Sequence, residues 1–248
     1  MWPSVREAFT AFTMPLEGSV PCMYLDTHAP PLVTAAIGCL ADPVSLALPM
    51  PWLIDGRPAT RAEVLADFQL LKARPELAHQ HWRAAMAVTR CRLDDAGIAA
   101  VVAQRLAQME TELRRWFVNW DRFPADGQMA CFGIAWACGA GFPRTFTAFR
   151  AKADAQDWAG AQAQAHIRTD GNPGIVPRNA QVALCCANAA ASVAQGLPSE
   201  TLFWPSHTPD AHERDIALQA EAAAALARWA DRERDGAPSA GANLEGDQ

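Results

Sequence analysis

The sequence lacks the features that mark several classes of protein. It has no basic run and no aromatic residues interleaved with Lys or Arg, and its formal net charge is −6, which argues against a nucleic-acid-binding surface. No uncharged apolar run reaches the roughly 18 residues that a membrane span needs. The N-terminus, MWPSVREAFTAFT, has neither the basic flank nor the apolar core of a signal peptide. We therefore expect synthesis in the cytoplasm and no membrane span.

Metal-binding motifs are missing as well. The seven cysteines are an odd number and are scattered, with no C-x-x-C pair and no set of four at zinc spacing. We expect them to be reduced, buried side chains. His79 and His81 are two residues apart, so on a helix they would point away from each other rather than share a metal ion. The sequence predicts no metal site and no cofactor.

The composition that remains is typical of a globular protein of mainly α class. Half of the 248 residues are apolar and 19% are charged, which allows a sizeable core. The pattern predicts one helix, an irregular β-hairpin and then helices only, an α+β fold dominated by α. Its strongest helix, Leu93–Phe117, would span about 35 Å, long enough to link two lobes. The predicted elements are a helix over Ser4–Thr13, strands over Val20–Asp26 and Leu32–Ile37, and helices over Thr60–Leu71, Pro75–Val88, Leu93–Phe117, Asp126–Cys138, Pro143–Lys152, Trp158–Ile167, Pro177–Gln195 and Asp210–Arg234.

The chain divides into a main domain and a C-terminal extension. We expect one domain over residues 1–205, with an enlarged, proline-punctuated segment at about 42–92. An appended helix follows within 206–234, and residues 235–248 are small and polar without periodicity, which is typical of a disordered tail. Thr201–Pro205 is apolar and would dock the appended helix.

Two carboxylates stand close together in the stretch LEGSVPCMYLDTHAPPLVTAAIGCL, residues Leu16–Leu40. Glu17 follows the first helix, and Asp26 ends the first predicted strand. A pair of carboxylates on either side of a glycosidic bond is the minimum requirement for its hydrolysis, because one donates a proton and the other attacks or aligns a water. Thr34, on the returning strand, could share that water with Asp26. Pro15 is expected to end the first helix early, which would weaken the effect of the helix dipole on Glu17.

This stretch resembles the active-site signature of the phage-type lysozymes, glycoside hydrolase family 24. The matching residues are Glu17-Gly18, then Tyr24-x-Asp26, then Thr34-x-Ala36-x-Gly38-x-Leu40, where the family has E-G, Y-x-D and T-x-G-x-G-x-L. In that family the glutamate is the proton donor, and the aspartate and threonine hold the attacking water. The resemblance implies these roles for Glu17, Asp26 and Thr34, and a lysozyme-like fold of two lobes.

Later segments resemble the same family in the same order. The helix from Asp94 resembles its inter-lobe helix, and residues 128–139 resemble its buried central helix. Asp157-Trp158 resembles its D-W pair, and residues 174–181 resemble its G-L-x-x-R-R-x-x-E element. In the family an arginine of that element approaches the catalytic glutamate, which implies a supporting role for Arg178.

Several positions depart from the family pattern. Ala36 replaces a glycine, Cys39 a polar residue, and Asn179 and Gln181 replace an arginine and an acidic residue. The Pro30-Pro31 pair lengthens and stiffens the hairpin turn. We expect Ala36 either to keep an ordinary strand conformation or to alter the cleft. These departures leave the three implied catalytic side chains in place.

The resemblance implies a muramidase that cleaves the β-1,4 bond between N-acetylmuramic acid and N-acetylglucosamine in peptidoglycan, by inversion. One alternative is a lysozyme-like module that binds glycan or protein without cleaving, as part of a phage particle or a secretion apparatus. Another is a chitin-directed hydrolase. A substrate outside the membrane would require delivery by lysis, injection or contact-dependent export. The expected partners are therefore glycan strands of peptidoglycan and, as a further candidate, a delivery or immunity protein.

Overall fold

Helices account for most of the structure, a computed structural model that describes residues 1–169 and 174–208. The predicted class, α+β and mainly α, is confirmed. The helices are α1 (Pro3–Glu17), α2 (Val44–Ala47), α3 (Arg61–Lys72), α4 (Trp82–Val88), α5 (Asp95–Trp116), α6 (Ala125–Cys138), α7 (Thr147–Asp154), α8 (Trp158–Gln162) and α9 (Ile175–Gln195). The strands are β1 (Val20–Leu25), β2 (Val33–Ala36), β3 (Cys39–Leu40), β4 (Leu53–Ile54) and β5 (Arg57–Pro58).

The chain separates into two units by its internal contacts. Met1–Pro205 forms one compact unit, and the second begins at Ser206. The predicted appended helix, Asp210–Arg234, and the predicted tail lie outside the described residues. Within the described ranges no helix is both long and apolar enough to cross a membrane.

A three-stranded antiparallel sheet follows α1, in the order β1-β2-β3. The predicted hairpin is confirmed, and its register pairs Tyr24 with Thr34 and Leu25 with Val33. The sequence pattern did not predict β3, nor the separate β4–β5 hairpin. Every residue of β2 is buried. The reason lies in the segment 42–92, whose helices α3 and α4 pack against β1 and cover the sheet.

Helix α1 is longer than predicted. It runs through Pro15 to Glu17, so the expectation that it ends near Thr13 is wrong. The last turn closes because the Gly18 N–H donates to the Met14 carbonyl at 2.9 Å. Pro15 has no backbone N–H, but this bond does not involve Pro15. Ser4 lies inside the first turn and does not cap the helix; its hydroxyl donates to the Glu200 carbonyl at 2.7 Å.

Two other predicted helices are shorter than the pattern indicated. A 3₁₀ turn over Pro75–His79 and helix α4 replace the single predicted helix Pro75–Val88. Helix α8 ends at Gln162 rather than Ile167. The Asn179 side chain accepts the Ile167 N–H at 2.9 Å and donates to the Ile167 carbonyl at 2.8 Å. The Ile167 N–H, which a helix extending to this residue would have used, is thereby taken.

The core is built around α6, which is buried along most of its length as predicted. It packs against α1, α5 and α9. Its Asp126 is completely buried and accepts N–H bonds from Phe203 at 2.8 Å and Trp204 at 3.1 Å. These bonds hold the 201–205 segment against the helical core. Helix α5 contacts α1 and α6 as well as β2 and β3, so it joins the sheet to the helices.

All seven cysteines are free, as expected. Six are buried, but Cys138, the last residue of α6, is exposed. The expectation of seven buried thiols is therefore wrong at this position. Helix α6 ends here because Gly139 takes φ 81° and ψ 154°, which leaves the Cys138 side chain at the rim of the core rather than inside it.

Candidate active site

Glu17 is the last residue of α1, and its position depends on the glycine after it. Gly18 has φ 74° and ψ 176°, a backbone conformation that is essentially restricted to glycine. The chain turns sharply there and enters β1 two residues later. The glycine of the Glu17-Gly18 pair is therefore required by the turn that leaves Glu17 at the end of the helix.

The Glu17 carboxylate forms an ion pair with Arg178, which lies in the first turn of α9. The Arg178 side chain is 2% exposed and that of Glu17 is 31% exposed. Arg178 Nη1 also donates to the Gly133 carbonyl on α6, at 3.1 Å. The guanidinium thus lies between α1, α6 and α9, and burial lowers its pKa. The sequence left open whether Arg178 would be solvated, and the structure buries it.

Burial raises the pKa of Glu17 above its ordinary value, and the positive charge of Arg178 only partly opposes this. A glutamate whose pKa is raised keeps its proton to a higher pH than a solvated glutamate does. This is the property that a general acid needs. The sequence alone could not show whether burial or the charge of Arg178 has the larger effect on the pKa of Glu17.

Asp26 follows β1 directly, and its own loop supplies its hydrogen bonds. Its Oδ1 accepts the N–H groups of His28 at 3.1 Å and Leu32 at 2.9 Å, and His28 Nδ1 lies 2.8 Å from Oδ2. The His28 side chain is 72% exposed. An ionised carboxylate offers about four lone-pair sites, so about one remains for a further donor.

Tyr24 feels the charge of both carboxylates. Burial first, and then the negative charges of Glu17 and Asp26, raise the pKa of Tyr24 to about 12. Both carboxylates therefore lie near the Tyr24 ring. Thr34 is directly opposite Tyr24 in the β1–β2 register, so both side chains project from the same face of the sheet. Thr34 is 6% exposed, and its hydroxyl makes no hydrogen bond to another residue in the ranges 1–169 and 174–208.

The turn between β2 and β3 borders the Glu17 carboxylate. A Cβ at Gly38, which has φ 66°, would lie 3.5 Å from Glu17 Oε2. Trp136 of α6 donates its indole N–H to the Ile37 carbonyl at 3.1 Å and so fixes this turn against the helical core. Ala36 has φ 55°, which excludes the first of the two alternatives, an ordinary strand conformation: the position keeps the left-handed backbone that glycine would favour.

A cavity of about 440 Å³ opens between the end of α6, α7 and the segment after α8. Its wall includes Cys138, Phe146, Phe149 and His166. Cys138 ends α6, the same helix whose Gly133 carbonyl accepts a hydrogen bond from Arg178.

The structure thus brings Glu17 and Arg178 into direct contact, and it places Tyr24, Thr34 and Asp26 together on the β1–β2 hairpin. The sequence reasoning did not assign roles to Tyr24, Gly38 or Trp136. The Y-x-D spacing was the available signal for Tyr24, because residues two apart on a strand share a face. Across the part of the chain that the structure describes, no group of three or more His, Cys, Asp or Glu side chains is arranged to hold a metal ion.

Comparison with known proteins identified no relative of the chain. A scan of protein-family models gave no match, and neither the curated proteins nor the solved structures contain a significant match to the chain.

Proposed function

We propose that the protein is a muramidase, a lysozyme of the phage type that hydrolyses the β-1,4 bond between N-acetylmuramic acid and N-acetylglucosamine in peptidoglycan. One observation carries the proposal: Glu17 ends a helix as a partly desolvated carboxyl whose pKa is raised, and it is held by the buried Arg178. The resemblance of the motif residues, described above, supports the same assignment. No cofactor is needed for this chemistry.

In the proposed reaction Glu17 acts as the general acid. It transfers its proton to the glycosidic oxygen while the bond from that oxygen to the anomeric carbon breaks. A water held by Asp26 and the Thr34 hydroxyl attacks the anomeric carbon from the opposite face and loses a proton to Asp26. The product has an inverted configuration, and exchange of protons with solvent restores both carboxyl groups.

Arg178 has two effects in this scheme. Its side chain, bonded to Glu17 and to the Gly133 carbonyl, fixes the direction in which the carboxyl points. Its charge also stabilises the carboxylate that remains after the proton has been transferred. Arg178 is thus a positioning residue that makes no contact with the sugar.

A second candidate function is supported by the Asp26 environment. Three contacts from the hairpin loop already occupy this carboxylate, including that of the exposed His28. A carboxylate engaged in this way has little remaining capacity to hold a water. A lysozyme-like module that binds glycan without cleaving it, within a phage particle or secretion apparatus, would need no such capacity.

The experiment that separates these functions uses purified bacterial cell walls and the full-length protein. We expect the wild type to clear the suspension and Glu17→Gln to be slower by at least about 100-fold, because the amide has no acidic proton. Glu7→Gln is the matched control, since Glu7 is exposed on the same helix. Equal clearing by wild type and Glu17→Gln would overturn the assignment of Glu17. Retention on insoluble walls without released reducing ends would favour the binding module.

Two further measurements sharpen the proposal. The anomeric configuration of the first product distinguishes inversion from retention. Hydrolysis of chitin oligomers but not of peptidoglycan would assign the protein to chitin instead. The proposal also implies that the protein reaches its substrate by lysis, injection or contact-dependent export, with a delivery or immunity protein as a further partner.

A further inference from the structure

Two adjoining cavities form a groove along helix α5. The first, of about 60 Å³, is bounded by Cys39 and Leu40 of β3. The second, of about 320 Å³, extends to Ala140, just beyond the end of α6. Arg105 and Gln108 line both cavities. The groove therefore runs from the sheet to the helical core, with one face of α5 as its wall.

One end of this groove adjoins the turn that borders Glu17. Cys39 and Arg105 line the same cavity there. Gly38, adjacent to Cys39, borders the Glu17 carboxylate itself. A glycan strand bound across Glu17 would therefore meet the part of α5 that presents Arg105.

Arg105 is a partly buried cation, and no described residue supplies a counter-charge bonded to it. No hydrogen bond or ion pair joins its guanidinium to any residue in the described ranges. Glu112 lines the second cavity, but it is seven residues further along α5, about 10 Å at 1.5 Å per residue. Arg114 on the same helix is different, because it pairs with both Glu110 and Asp121.

An unpaired guanidinium in a groove is matched best by a carboxylate, which accepts two parallel N–H bonds from it. N-acetylmuramic acid carries a carboxylate on its lactyl group, and the peptides attached to that group carry others. N-acetylglucosamine has none. We infer that Arg105 binds a carboxylate of the substrate and thereby selects glycan that contains muramic acid over neutral chitin. This inference rests on the proposed function, because it assumes that the groove holds a cell-wall glycan.

The test measures binding in the full-length Glu17→Gln protein, so that no ligand is consumed. Three ligands of equal sugar number are compared: a peptide-free oligomer of alternating N-acetylglucosamine and N-acetylmuramic acid, the same oligomer with its peptides, and a chitin oligomer. We expect adding Arg105→Gln to weaken binding of the muramic acid ligands by about 10-fold or more and to leave chitin binding unchanged. Arg115→Gln, an exposed arginine on α5 that lines neither cavity, is the matched control.

The pattern of loss identifies the carboxylate. A loss with both muramic acid ligands assigns it to the lactyl group, and a loss only with the peptide-bearing ligand assigns it to the peptide. An equal loss with the chitin oligomer, or no loss with any ligand, would overturn the role of Arg105. Urea denaturation of each variant shows whether a loss reflects unfolding.

The outcome is separable from that of the proposed function. If the wild type fails to clear cell walls, binding by the Glu17→Gln protein still reports on Arg105. If the wild type clears walls and the Arg105→Gln substitution changes no affinity, the hydrolase assignment stands and this inference fails.

Discussion

The two carboxylates of the candidate site are held in place by different means. Glu17 depends on Arg178, which is 161 residues away in the sequence and buried between three helices. Asp26 depends on His28 and Leu32, which are two and six residues away. Tertiary packing therefore sets the position and the pKa of Glu17, whereas a local loop positions Asp26. The two should respond differently to substitutions that weaken the core.

The largest expected effect concerns Arg178, through which tertiary packing holds Glu17 in place. Arg178→Ala should reduce the free energy of unfolding by about 3 kcal/mol, because it removes a buried charge that bonds to both Glu17 and the Gly133 carbonyl. Urea denaturation measures the change. His28→Ala is the local counterpart, and it should cost under about 1 kcal/mol because this side chain is 72% exposed. Equal losses for the two variants would contradict the distinction.

A smaller effect is expected at the turn after Glu17. Gly18→Ala should reduce the free energy of unfolding by about 2 kcal/mol, since Gly18 occupies a backbone region that alanine rarely adopts. No atom lies within 4 Å of the added Cβ, so the cost would come from the backbone rather than from a clash. Glu17 and its ion pair would shift with the turn, and wall clearing should fall with stability. A Gly18→Ala protein as stable as the wild type would show that the turn tolerates alanine.

The smallest expected effect is a pH dependence of stability. Because the pKa of Glu17 is raised above 4.5 in the folded protein, its contribution to stability is complete below about pH 4.5 and is lost as the pH rises through the folded value. The wild type should therefore lose stability relative to Glu17→Gln as the pH increases over that window. Thermal or urea unfolding at a series of pH values measures this difference.

Glu7→Gln again provides the control for the pH series, since this exposed residue is on the same helix. If the wild type instead gains stability relative to Glu17→Gln with rising pH, then the charge of Arg178 outweighs burial, and the pKa of Glu17 is lowered rather than raised.

The sequence predicted best the elements whose signals are local. Helix α5 was expected over Leu93–Phe117 and is found at Asp95–Trp116, because Asp94 caps it and its apolar residues recur at helical spacing. The hairpin was also found, from its short apolar runs and its prolines. In the site, the motif residues Glu17, Asp26 and Thr34 were singled out from their spacing and their resemblance to a family.

Features that depend on distant contacts were missed. The backbone at Ile167 bonds to the Asn179 side chain, from a helix that begins 13 residues after α8 ends. The strand β3 has two residues, too few to show an alternating pattern. Whether the pKa of Glu17 is raised or lowered depends on how deeply its side chain is buried, which the spacing of residues does not reveal. Arg105 resembles any other helical arginine until the groove beside it is seen.

The separation of Glu17 from Arg178 also has a consequence for biosynthesis. Glu17 leaves the ribosome early, whereas its counter-charge is translated only after most of the main unit has been made. A nascent chain therefore carries the hairpin with its aspartate but lacks the arginine that fixes the neighbouring acid. The proposed enzyme would become competent only once α9 has docked against α6, so a chain that ends before residue 178 should not clear cell walls.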